Sequence, residues 1–162
     1  MLTLNQRVIT TTVFALFSLA TISAHAESVA GQSKCTYTPT AANVANTDGY
    51  VVLLSETTCN FAGSGFGEGA TVLNQEVANL HQGTGEHSGY YTASNGADST
   101  IAKWSGKVNT VIKDGNPMTS FKGQWEYVGG TGKHQGIKGK GEYNGYFTSA
   151  TEYTVDWKGK RE

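Results

Sequence analysis

Apolar and polar residues alternate with a period of two through the C-terminal half of the chain, the pattern of a β-strand with one face withdrawn from water. Between Ser99 and Ile112 the even positions include Ala102, Trp104, Gly106, Val108 and Ile112, whereas Lys103, Ser105, Lys107 and Asn109 take the odd ones. Asp114-Gly115-Asn116-Pro117 supplies a turn: Asp and Asn tolerate turn geometry, Gly takes positive φ freely, and Pro cannot donate to a ladder. From Met118 to Tyr127 the phase puts Phe121, Gly123, Trp125 and Tyr127 inside and Ser120, Lys122, Gln124 and Glu126 outside. After a glycine-rich turn, Gly129-Gly130-Thr131-Gly132, a third strand carries Ile137, Gly139, Gly141, Tyr143, Gly145 and Phe147 on one side. The last strand repeats the arrangement with Tyr153, Val155, Trp157 and Gly159.

Earlier strand signals are weaker: a short one around Cys35 to Tyr37, then Tyr50 to Thr58, Thr71 to Leu80, and Ser88 to Ser94. No segment sustains a helical period, and Gly and Thr are abundant, so the pattern predicts an all-β domain of seven or eight strands. Glycine on the same face as large aromatics suits a strongly curved sheet, whose interior alternates small and large side chains. The predicted architecture is therefore a single antiparallel β-barrel of about eight strands. Residues 60–70 read as a glycine-rich loop; without a Gly-Lys-Ser/Thr ending or a following helix it is not a phosphate cradle.

The N-terminus departs from this pattern. A basic stretch ends at Arg7, an apolar run follows through Val13, Phe14, Leu16, Phe17 and Leu19, and small residues flank His25 in Ala24-His25-Ala26. That tripartite form predicts a secretory signal peptide over residues 1–26, cleaved after Ala26, with the β-domain in 27–162. The run is too short and too diluted by Thr and Ser for the ~20 apolar residues of a membrane span, so no membrane anchor is expected in the mature form. Loss of Arg7 takes the formal charge from −1 to −2. Lys133, Lys138, Lys140, Lys158 and Lys160 gather near the end, but Glu142, Asp156 and Glu162 interleave with them, which argues for a solvated strand face and against a nucleic-acid partner. Cys35 and Cys59, the only cysteines, are expected to form a disulfide in the oxidising compartment, whether periplasmic or extracellular, that export implies.

Candidate chemistry is sparse. His81 and His87 flank a short turn with Glu86, a spacing that matches no helix-borne metal pair, so they are expected to be exposed hairpin residues; His134 is expected to be exposed in the glycine turn. No Gly-x-Ser-x-Gly elbow occurs, and no metal or cofactor is expected. If Val52 and Leu54 point inward, so does Glu56; if Val72 and Leu80 do, so does Glu76. A carboxyl among apolar walls is a candidate acid or base. Tyr91, Trp104 and Trp125 would line the same space, making Glu56, Glu76, Tyr91, Trp104 and Trp125 the candidate ligand-binding residues.

The segment from Gly129 to Tyr143, opening Gly-Gly-Thr-Gly-Lys, resembles the corresponding hairpin of the allene oxide cyclase and dirigent barrel superfamily, and Trp125-Glu126-Tyr127 and Trp157-Lys158-Gly159 are similar to its small secreted bacterial members. The resemblance covers about the last sixty residues. It implies an eight-stranded antiparallel barrel, allene oxide cyclase-like and calycin-like, whose mouth admits a small apolar or amphipathic ligand and which assembles into dimers or trimers. An isomerase or cyclase activity is the enzymatic form of that implication. A filled barrel with a structural or interaction role is the other alternative.

Overall fold

A computed structural model describes residues 26–44, 47–63 and 69–162, so the expected signal segment lies outside the described residues except for Ala26. Among these described residues nine strands follow in order: β1 (Glu27–Thr36), β2 (Pro39–Asn43), β3 (Tyr50–Gly63), β4 (Thr71–His81), β5 (Thr84–Asn95), β6 (Asp98–Lys113), β7 (Asn116–Thr131), β8 (Gly139–Phe147) and β9 (Glu152–Arg161). A 3-10 turn, Gly132–His134, separates β7 from β8. All pairings are antiparallel, and from β3 to β9 each strand pairs with the next. β1 pairs with β9 on one side and with β3 on the other, so the sheet closes into a ring.

The ninth strand does not widen the ring. β1 runs along β3 from Gly31 opposite Gly63 to Cys35 opposite Cys59, and β2 continues in the same register from Pro39 opposite Ser55. The two follow β3 in one register, interrupted at Tyr37 and Thr38, where Tyr37 is buried and its N–H donates to Thr151 O at 2.6 Å. Sequence patterning missed β2, all five of whose residues are exposed, and shortened β1 to the vicinity of Cys35. Of the expected loop at 60–70, Asn60–Gly63 instead complete β3, and residues 64–68 are outside the described set.

Two hairpins turn through residue pairs that both take positive φ, Gln82-Gly83 and Asp114-Gly115. This twist matches that of paired strands and favours Asn, Asp or Gly; Asp114-Gly115 follows the preference and Gln82 departs from it. Asn116 and Pro117 thus belong to β7 and not to the turn; Pro117 faces only β6, where its missing N–H breaks no second ladder. Likewise Gly129, Gly130 and Thr131 close β7, and Gly132 alone of that motif enters the 3-10 turn.

The predicted phase of the C-terminal strands holds. Ala102, Val108, Tyr127, Tyr143 and Tyr153 are buried, whereas Lys103 pairs with Glu126 at 2.6 Å and Lys158 with Glu142 at 2.9 Å on the outer face. Ile112 is the exception at 70 % exposed, because β6 and β7 run on past their other neighbours as a two-stranded extension. Cys35 and Cys59 form the expected disulfide, their Cα atoms 4.1 Å apart as direct cross-strand partners. The bond fastens the β1–β3 pairing that closes the ring.

Candidate functional site

Inside the ring the cross-strand registers align side chains in rows. One row runs Ser55, Glu76, Gly89, Trp104, Trp125, Gly141, Gly159 from β3 to β9. The next runs Ala78, His87, Gly106, Gly123, Tyr143, Trp157 from β4 to β9. Each large ring lies over glycines of its own row: Trp104 over Gly89, Trp125 over Gly141 and Gly159, Tyr143 over Gly106 and Gly123. A Cβ at any of these glycines would overlap the ring or hydroxyl, which is why glycine and aromatics share one face.

These rings enclose a cavity of about 590 Å³. Trp104, Trp125 and Trp157 all line it, with Phe121, Tyr143 and Tyr153. Its lining reaches exposed residues at one end, Asn116 and Pro117 of the β6–β7 hairpin and Thr148–Ala150 between β8 and β9, which form a mouth.

A chain of polar contacts runs along one wall. Ser55 Oγ donates to Glu76 Oε2 at 3.2 Å, and His87 Nδ1 lies 2.8 Å from Glu76 Oε1. A carboxylate only accepts, so Nδ1 carries a proton; in the neutral imidazole Nε2 then accepts from the Tyr143 hydroxyl, 3.1 Å away. The side chains of His87 and Glu76 are 5 % and 11 % exposed, so this relay is almost fully enclosed. Beside it, Trp104 Nε1 donates to Asn74 Oδ1 at 2.9 Å, and Asn74 Nδ2 donates to Tyr153 at 3.4 Å. Burial first, and the Glu76 charge second, push the Tyr37 and Tyr143 hydroxyls well above the ordinary value of 10.0, and the same two causes lead at Tyr153. All three remain neutral phenols near neutral pH.

Four of the five predicted ligand-site residues line this cavity: Glu76, Tyr91, Trp104 and Trp125. Glu56 does not. It is exposed on the outer face of β3, where Gln75 Nε2 donates to it at 3.0 Å, because Ser55, Thr57 and Cys59 are the buried positions of that strand. His87, expected to be exposed, is 6 % exposed and central to the site, because β5 begins at Thr84 and puts it on the face of Tyr91 and Ala93. His81 is exposed as expected and stacks on Tyr50 with ring centroids 4.1 Å apart; Glu86 points outward to Lys107. His134 is half-buried. Ser55, Asn74 and Tyr143 were not read as site residues, although Tyr143 had been assigned to the inner face. No group of three His, Cys, Asp or Glu among the described residues is arranged to hold a metal ion.

No protein-family model matches the chain, and a comparison with curated proteins finds no match.

Proposed function

We propose that the ring is an eight-stranded barrel of the allene oxide cyclase-like kind and that its lumen binds a small apolar or amphipathic molecule. The observation that carries this reading is the aromatic-walled cavity of about 590 Å³ with a mouth at one end. It exceeds the ~300 Å³ from which ligand pockets usually begin, and counts against a filled barrel with only a structural role. Apolar rings supply affinity, and the polar groups on one wall supply orientation. The Cys35–Cys59 disulfide supports a secreted or periplasmic protein. Exposed Leu54 and Val77, cross-strand neighbours on the outer face, support association between copies.

Decanol is a suitable first probe. It should quench or shift tryptophan fluorescence saturably, since three tryptophans line the space. No change at any soluble concentration would remove the ligand-binding reading.

A second reading, an isomerase or cyclase, is favoured by the Glu76–His87–Tyr143 relay, which can hold or pass a proton within an enclosed site. Glu76→Gln should then abolish turnover of an identified substrate while leaving the circular dichroism spectrum intact. Unchanged turnover would refute it.

A further inference from the structure

We propose that the lumen selects an organic cation, an amine or quaternary ammonium group on an apolar body, with the charge beside Glu76 and the body against the surrounding rings. This deepens the ligand-binding reading and rests on it.

The distribution of charge carries the argument. Glu76 and His87 are the only lining residues among those described that belong to the Asp, Glu, His, Lys and Arg set. Lys103, Lys107 and Lys158 instead lie on the outer face, paired with Glu126, Glu86 and Glu142. A carboxylate or phosphate ligand drawn out of water would find no free cation inside, and an uncompensated buried charge is strongly disfavoured.

Glu76 offers the opposite. Ser55 and His87 each satisfy one of its oxygens once, whereas a carboxylate has about four acceptor sites, so capacity remains for a ligand. Glu76 is the one carboxyl among the described lining residues, and no lysine or arginine lines the cavity to oppose it. Tyr37, Tyr143 and Tyr153, which line the cavity with Glu76, feel its charge as a rise in their hydroxyl pKa, second to burial, whereas Tyr127 feels Arg161, so the negative potential covers the part of the lumen around Glu76.

The walls are suited to the same ligand. Trp104 lies across Gly89, the direct cross-strand partner of Glu76, and meets Tyr143 edge-on at 5.8 Å between centroids. Aromatic rings next to a desolvated carboxylate attract a cation through the ring quadrupole as well as by charge, and neither attraction acts on a neutral head group.

The test uses one apolar body with three heads: decyltrimethylammonium, decanol and decanoate, each below its micelle concentration, titrated by tryptophan fluorescence into the protein. The ammonium should bind roughly tenfold tighter than the alcohol, and decanoate weakest of the three. In Glu76→Gln the ammonium should lose that advantage, falling to within about twofold of the alcohol. Equal binding by all three heads in the wild-type protein, or tightest binding of decanoate, overturns the charge preference while leaving the lumen a ligand site. Failure of all three to bind removes the ligand site itself. The wild-type series decides the question even if Glu76→Gln does not fold, and in a folded variant an undiminished preference for the ammonium also overturns the assignment to Glu76.

Discussion

The hydroxyl of Tyr143 reaches Nε2 of His87, 3.1 Å away, across two intervening strands. The registers make this possible: His87 pairs with Gly106, Gly106 with Gly123, and Gly123 with Tyr143, so the phenol hydroxyl passes over two residues that have no side chain. Gly106 and Gly123 are therefore part of the relay without touching its chemistry.

Gly123→Ala should consequently lower stability by about 1–3 kcal/mol, the usual range for overpacking, because the new methyl group meets the Tyr143 hydroxyl and the β6 backbone together. Tyr143→Phe, which removes only the hydrogen bond, should lose about 1 kcal/mol. Urea unfolding of the two variants measures the difference. Wild-type stability in Gly123→Ala would show that the phenol does not occupy that space.

The C-terminal strands were legible because large aromatics and charged residues alternate there without interruption, as Phe121, Trp125 and Tyr127 do with Lys122, Gln124 and Glu126. β3 misled because its phase is reversed. Its larger apolar residue Leu54 is 57 % exposed outside, opposite Val77, while small Ser55, Thr57 and Cys59 face in to leave room for rings such as Tyr153 of β9, one strand beyond β1. Cys59 held the missing signal: a cysteine bonded to Cys35 across the closing strands shares parity with Ser55 and Thr57, which turns Glu56 outward. His87 was hidden by starting β5 four residues late; extending the parity of Tyr91 back to Gly89 and His87 would have placed it. That the relay assembles from β3, β4, β5 and β8 depends on inter-strand registers, which alternation along a single strand does not encode.

Breaking the disulfide should act on ring closure. Replacing Cys35 and Cys59 by Ala together frees a connection spanning 24 residues and should cost about 3 kcal/mol of stability. Hydrogen exchange should show the loss first at β1 amides paired with β3, while β6 and β7 amides stay protected. Uniform loss of protection would argue against a local role at the closing seam.

Asp98 joins the β5–β6 turn to the Gly-Gly-Thr-Gly-Lys segment. Its Oδ1 accepts the Lys133 backbone N–H at 3.0 Å and its Oδ2 meets the Lys133 ammonium, also at 3.0 Å. The Lys133 N–H, and after it the ammonium, hold the Asp98 carboxyl below the usual aspartate range. A depressed pKa stabilises the fold above the unfolded value, and that contribution fades as pH falls through the folded one. Asp98→Asn should therefore speed exchange of amides in 132–138 at neutral pH and make little difference under strongly acidic conditions. An effect of equal size in acid would mean that the charge plays no part.

Alkali should unfold the protein through its interior. Burial raises the hydroxyl pKa of Tyr37, Tyr91, Tyr143 and Tyr153, and that of Tyr127 is pushed up to about 12. In the unfolded chain these groups ionise near the ordinary value of 10.0. Above that pH the folded state binds more protons than the unfolded one, so stability declines as pH rises; below it the contribution is complete and stability is insensitive to these groups. Phenolate absorbance from the buried set should accordingly rise only together with loss of the near-ultraviolet circular dichroism signal. Ionisation of every tyrosine in one stage, with that signal intact, would show that water already reaches the lumen hydroxyls.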